Sequence, residues 1–261
     1  MLEIIPSWEK IEEYTALAEE HGLAFEYNDF YAPKLLDDSA GLKERIRNYK
    51  SLGRPGGVDT LHGAFYDILP FSWDSGIREH SIYRMRQSVE IADELGCRGV
   101  VFHTNFSPDF LNNEKYRNNW LESMREVISQ LLAECSCEIW LENMFDQSPG
   151  ELSDAAALLQ EEDRFGICLD IAHMMLATQE PEEWLRLLAP HIRHFHINDT
   201  HLKYDEHLAL GRGSIDWRRI ETLLEEFGLK DRSRLIEVNG LDKIRESLRY
   251  CKELLRDDFT L

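Results

Sequence analysis

No stretch of the sequence approaches the ~18 uninterrupted apolar residues of a membrane-spanning helix, so no membrane insertion is expected. The opening residues Met1-Leu2-Glu3-Ile4-Ile5-Pro6 show neither the basic n-region nor the long apolar core of a signal peptide. A cytoplasmic address is the expectation. Cysteine is sparse and unpatterned: Cys97, Cys135, Cys137, Cys168 and Cys251 are odd in number and contain no CxxC pair. Cys135 and Cys137 stand two apart, a spacing poorly suited to a shared metal or a relaxed disulfide, so reduced thiols are expected. Basic residues are in the minority, 29 Lys and Arg against 49 Asp and Glu, for a net charge of −20. That balance disfavours nonspecific adhesion to nucleic acid or anionic membrane, which both need a basic face. A local basic patch is still compatible with it. No linker, low-complexity tract or internal repeat divides the chain.

What is present is a regular alternation. The 261 residues are 43% hydrophobic and 30% charged, a globular composition of a length common for α/β barrels. Eight short β-rich runs stand at 2–5, 23–28, 59–63, 99–104, 138–143, 165–170, 192–198 and 234–239. Between them lie segments with helical spacing of apolar residues, such as Ile82, Met85, Val89, Ile91 and Leu95, or Trp120, Met124, Val127, Ile128 and Leu131. Ser7 and Ser153 read as N-caps, Pro181 as a first-turn proline, and Gly22, Gly96 and Gly228 as C-terminal stops. Strict β-then-α alternation predicts a parallel sheet, and eight repeats predict its closed form: a single-domain (β/α)8 TIM barrel spanning 1–261.

The chemistry gathers by position. From the third strand onward, each predicted strand carries a His, Asp or Glu at or just past its carboxyl end. These are His62, His103, Glu142, Asp170 with His173, His196, and Glu237. In a parallel barrel those ends share one mouth. Each residue alone has an ordinary explanation: a hydrogen-bonded strand-end histidine, a helix-capping Glu142, an Asx-turn at Asp170. Seven ionisable groups at one mouth, however, repel or stay unpaired unless something neutralises them, and a divalent cation does so most economically. A mixed imidazole and carboxylate shell suits Zn²⁺ or Mn²⁺, with Co²⁺, Fe²⁺ and Mg²⁺ also compatible, and suits Ca²⁺ less. The lack of well-placed Cys ligands favours an open catalytic site over a structural zinc. The stretch YDEHLALGRGSIDW adds Asp205 and His207, which read either as ligands for a second metal or as a solvated polar loop. Its Gly211-Arg212-Gly213 reads either as a place of close backbone approach to substrate or as an ordinary tight turn.

As a set, LHGAF (His62), VVFHT (His103), WLEN (Glu142), CLDIAH (Asp170, His173), HFHIND (His196), DEHLALGRGSIDW (Asp205, His207) and LIEVNG (Glu237) resemble the xylose isomerase-like TIM-barrel superfamily. That superfamily contains sugar isomerases and epimerases as well as the DNA repair enzyme endonuclease IV. Similarity to the ketose epimerases implies one metal on Glu142, Asp170, His196 and Glu237. Glu142 and Glu237 then exchange a proton of the substrate through a metal-stabilised enediolate, and His173 contacts a small-molecule sugar or sugar phosphate. Phe65, Tyr66, Phe71 and Trp73 are candidates for a wall or lid over that sugar, with core packing as the alternative for some. Those epimerases usually carry an Arg shortly after the strand-seven His, whereas here the chain reads Asn198-Asp199-Thr200-His201-Leu202-Lys203. Lys203 or Arg212 is the candidate replacement, although a point charge and a planar fork bind differently.

Similarity to endonuclease IV implies instead nine ligands for three zinc ions: His62, His103, Glu142, Asp170, His173, His196, Asp205, His207 and Glu237. Against a nucleic-acid partner stand the net charge and the loops GAFYDILP and VVFHTNF, which depart from the repair enzymes' pattern. The isomerase or epimerase is the first expectation and the phosphodiester hydrolase the second. A non-catalytic metal- or sugar-binding barrel is the third, disfavoured by the intact acid/base carboxylates. The resemblance leaves a homo-oligomer open and singles out no interface.

Overall fold

The computed structural model describes residues 1–254. Eight parallel strands close into a barrel in the order of the chain: β1 (Leu2–Ile4), β2 (Ala24–Tyr27), β3 (Thr60–His62), β4 (Gly99–His103), β5 (Glu138–Glu142), β6 (Phe165–Asp170), β7 (Ile192–Ile197) and β8 (Ser233–Ile236). The helices around it are α1 (Ile11–His21), α2 (Pro33–Asp37), α3 (Ser39–Lys50), α4 (Ser75–Leu95), α5 (Glu114–Glu134), α6 (Gly150–Leu158), α7 (Ile171–Leu176), α8 (Pro181–Leu188), α9 (Trp217–Glu226) and α10 (Leu241–Leu254). β1 pairs with both β2 and β8, which completes the ring and leaves no sheet edge. The expected (β/α)8 barrel is the observed fold.

Local signals explain where the elements stop. Gly22 and Gly96 take left-handed φ of 63° and 71° as the C-caps of α1 and α4, where a side chain would be strained. Pro181 opens α8. Asp74 caps α4 by accepting from Gly76 N and Ile77 N, and Asp170 caps α7 by accepting from His173 N. Two expected caps are corrected. Ser153 lies inside α6, which starts earlier, after Pro149. Ser7 precedes only a short 3-10 turn and its side chain makes no capping bond. The described cysteines are all free thiols, as expected.

Apolar side chains on the outer face of the strands pack against the helices in one continuous core. The barrel interior is different. Because alternate residues of a strand face the same side, pairs two apart stack along the axis: Thr60 with His62, Val101 with His103, Trp140 with Glu142, Cys168 with Asp170, and His194 with His196. Val101, Trp140 and Cys168 form a small apolar cluster apart from the main core. Gly99 makes room for it, since a Cβ there would stand 2.6 Å from the Trp140 ring. Above this cluster, at the carboxyl ends of the strands, the interior is polar.

Candidate metal centre and cavity

The central group is Glu142, Asp170, His196 and Glu237. All four are buried, and each offers a ligand atom within 4.8 Å of the others. His196 Nδ1 stands 3.1 Å from Glu142 Oε1 and 3.6 Å from Glu237 Oε2. Asp170 ends β6 and accepts from the His173 N–H at 2.6 Å, while Asn143 exchanges two hydrogen bonds with the Asp170 backbone. Asn198 Nδ2 spans Asp170 and Glu237 at 3.3 and 3.4 Å.

Two flanking groups extend the centre. His62 Nε2 and His103 Nε2 both stand 3.4 Å from Glu142 Oε2. On the other side, Asp205 Oδ2 meets His173 Nε2 at 3.3 Å and His207 Nε2 at 2.7 Å. The chain thus brings all nine sequence-predicted ligand candidates together at the mouth.

The imidazoles are held by their far nitrogens. His62 Nδ1 lies 3.0 Å from Gly63 O, His173 Nδ1 2.8 Å from Asn143 O, and His207 Nδ1 3.0 Å from Glu237 O. A carbonyl only accepts, so each Nδ1 carries a proton and each Nε2 is turned toward the centre. His207 reaches this position with φ 46°. The other non-glycine residues at positive φ among those described, Asp67, Asn105 and Leu202, also lie in loops after β3, β4 and β7 at this rim. Backbone in such sparsely populated regions is what functional rims tend to carry.

The electrostatics fit a cation. Burial raises the Asp170 carboxyl to about 7 despite the opposing pull of His173, with Glu237 and Glu142 adding to the rise. Burial also opposes ionisation of Glu142, but His196 and His103 outweigh it and hold that carboxyl well below its ordinary range. His207 rises to about 10, because Asp205 and Glu237 overcome its burial. Alone, the cluster balances itself by holding protons on imidazoles. Glu142 Oε2, Asp205 Oδ1 and Asn198 Oδ1 are buried without a hydrogen-bond partner. Orphaned buried oxygens set among imidazoles, which become ligands on losing a proton, suit a divalent ion.

Above the centre opens a cavity of about 710 Å³, with His103, His173 and Asp205 on its floor. Phe65, Tyr66, Ile68, Leu69, Pro108, Met144, Phe145 and Leu176 supply apolar wall. Asp67 and Asp146 line it too, and among the described residues lining it there is no Lys or Arg. Asp146 is buried, which raises its carboxyl to about 6, and it accepts from Thr104 Oγ1 at 2.6 Å.

Three expected substrate contacts are not brought to this cavity. The Arg212 guanidinium is committed to Glu246 of α10 on the exposed surface. Lys203 is exposed in a turn that Thr200 Oγ1 closes by donating to Tyr204 O at 2.7 Å. Trp73 is 61% exposed and packs edge-on against Tyr116, with Lys115 over its ring. Of the expected lid aromatics, Phe65 and Tyr66 line the cavity, whereas Phe71 belongs to the core. The Gly211-Arg212-Gly213 stretch is a tight turn organised by Asp199, which accepts from Gly211 N at 2.9 Å and Trp217 Nε1 at 3.2 Å. A Cβ at Gly213 would stand 2.3 Å from Asp199 Oδ1.

Comparison with known proteins agrees with this architecture. The family model described as "Xylose isomerase-like TIM barrel" matches residues 9–254. The chain belongs to that family. Among relatives of this xylose isomerase-like barrel, the uncharacterized protein MJ1614 of Methanocaldococcus jannaschii is 26% identical over 201 residues, 76% of this chain and 77% of that protein. A D-tagatose 3-epimerase-like protein superposes with a TM-score of 0.78 at 24% identity, covering 98% of both chains. The TTHB071 protein of Thermus thermophilus, in crystals soaked with ZnCl2, gives 0.76 at 24% identity over 98% and 99% of the chains. D-Psicose 3-epimerase with D-tagatose, from Clostridium cellulolyticum, gives 0.71 at 17% identity over 98% and 99%. These likenesses establish the shared barrel.

Sequence reasoning missed a layer beneath the centre. Glu3, Glu26, Thr60 and His194 are all buried inside the barrel. Thr60 Oγ1 stands 2.6 Å from Glu3 Oε2 and 3.0 Å from Glu26 Oε2. Arg98 donates to Glu3 at 2.9 Å, and His194 Nδ1 meets Ser233 Oγ at 2.7 Å. A signal existed: His194 is two residues from His196 and so faces the same way, and Glu3 and Glu26 interrupt otherwise apolar strands.

Proposed function

We propose that this barrel is a divalent-metal-dependent isomerase or epimerase of a small unphosphorylated sugar. The observation that carries the reading is the pair of buried carboxylates, Glu142 and Glu237, flanking His196 beneath a cavity of sugar-binding size. Glu142, Asp170, His196 and Glu237 are the residues that would hold the ion. A bound divalent ion supplies a Lewis acid that polarises a substrate carbonyl. Glu142 and Glu237 carry the proton to and from the adjacent substrate carbon, each held in place by contact with His196. His173, pinned through Nδ1, orients a substrate oxygen with Nε2. Phe65, Tyr66 and Phe145 exclude water from the bound sugar. The acidic and apolar wall offers a terminal phosphate no Lys or Arg among the described residues that line it, which favours a neutral polyol. The sugar ligand named for the D-psicose epimerase relative is in keeping with this class.

The test is incubation in D₂O with a panel of ketoses and their phosphate esters. The proposal expects deuterium at the carbon beside the carbonyl, faster for the free sugars, and loss of exchange in Glu142→Gln and Glu237→Gln. A second reading, a multi-zinc phosphodiester hydrolase, is favoured by the assembly of His62 with His103 and of His173, Asp205 and His207 around the same centre. Zinc-dependent cleavage of an abasic-site duplex without deuterium exchange would reverse the ranking.

A further inference from the structure

His196 is held the opposite way round from the histidines beside it. His62, His173 and His207 fix Nδ1 on backbone carbonyls and present Nε2. His196 presents Nδ1 to Glu142 and Glu237, while its Nε2 points down the barrel to Glu26 Oε1 at 3.3 Å. That Nε2 and Glu26 Oε1 are both buried and neither is engaged in a hydrogen bond, so the two unsatisfied atoms face each other at ion-pair distance. The carboxylate comes from β2, on the far side of the barrel.

Glu26 is itself fully buried and held in place. Thr60 Oγ1 stands 3.0 Å from its Oε2, and His194 Nε2 lies 3.5 Å from the same oxygen. Glu3, anchored by Arg98, shares Thr60 with it.

We infer that Glu26 is a positioning residue: it receives the Nε2 proton of His196, fixing the tautomer and ring orientation that leave Nδ1 free for a divalent ion. This rests on the reading that Glu142, Asp170, His196 and Glu237 hold that ion. The physical basis is general, because a carboxylate behind a ligating imidazole orients the ring and raises its basicity. Glu26 lies behind His196, lines no part of the substrate cavity and stands outside the four-ligand group. Its effect is therefore expected in metal affinity before anything else.

The experiment uses Zn²⁺ alone, competed against a chromophoric chelator, on the metal-stripped full chain. Glu26→Gln is expected to weaken Zn²⁺ binding about 10–100-fold, and Glu26→Asp, which keeps the charge, to recover part of the loss. Equal affinity in wild type and Glu26→Gln would overturn the inference, whereas absence of Zn²⁺ binding in wild type would overturn the metal-site reading beneath it. Nitrogen-15 spectra of the zinc-loaded wild type provide a readout that needs no variant to fold. A His196 imidazole protonated at Nε2 is expected, and one protonated at Nδ1 would contradict the assignment.

Discussion

The two ends of the barrel treat the same kind of residue in opposite ways. At the amino-terminal end of the strands, the buried carboxylates Asp59 and Glu3 are paired with arginine. Asp59 takes two bonds from Arg54, at 2.6 and 2.7 Å, and also accepts from Phe25 N and Tyr27 Oη. Glu3 is paired with Arg98. At the carboxyl-terminal mouth, Glu142, Asp170, Asp205 and Glu237 have, among the described residues, only imidazoles and amides as polar partners. A guanidinium is a permanent partner that closes a site. An imidazole gives up its proton and becomes a ligand. The first end is built for stability, and the second keeps its carboxylates beside partners that can release a proton, as the proposed metal site requires.

The widest split between the ends is expected from single substitutions. Glu142→Gln should lower turnover on the order of 10²–10⁴-fold, with the far-ultraviolet circular dichroism of the metal-stripped protein unchanged. Wild-type turnover in that variant would remove the proton-transfer role. Arg54→Met should do the reverse. It strands Asp59 in a buried site and is expected to cost about 3–5 kcal/mol in urea unfolding, while Zn²⁺ affinity stays the same. A weakened Zn²⁺ site in Arg54→Met would mean the two ends are coupled and the division is wrong.

Asp146 sharpens the contrast, because it is a mouth carboxylate outside the ligand set. Its carboxyl rises from 3.8 to about 6, chiefly through burial. A folded value above the unfolded one means that its contribution to stability is greatest below about pH 4 and is lost as pH climbs through about 6. Relative to Asp146→Asn, the wild type should therefore lose about 3 kcal/mol of stability between those limits. A pH-independent difference between the two unfolding curves would show that Asp146 does not titrate as its burial implies. The smallest effect is expected from Arg212→Ala, since that guanidinium serves an exposed pair with Glu246. Ketose turnover should change by less than about twofold, and a large rise in KM would restore Arg212 as a substrate contact.

Much of this was legible in the sequence because the barrel repeats one rule. β-then-α alternation gave each strand, and the strand-end position of His103, Glu142, Asp170 and His196 followed from strand direction alone. The nine ligand candidates were readable for the same reason, although only the loop's conformation shows Asp205 and His207 reaching the mouth beside His173 and Glu237. What was not legible depends on side chains meeting across the barrel. The Arg212 pairing with Glu246 joins residues 34 apart in sequence, and nothing local in GRGSIDW points to it. The lower layer of Glu3, Glu26 and Thr60 comes from three different strands, so each member looks like an isolated polar residue in a strand. Ser153 was misread because Pro149 and Gly150 start the helix one turn earlier than the serine implied.

The central claim is that the mouth, unlike the opposite end, holds a divalent ion on Glu142, Asp170, His196 and Glu237. Calorimetric titration of the metal-stripped protein with Zn²⁺, with elemental analysis of the product, tests it most directly. The account predicts at least one tightly bound ion per chain in the wild type, and its loss when Asp170 and His196 are both replaced by alanine. Binding of well under one ion per chain, or binding that survives the double replacement, would contradict it.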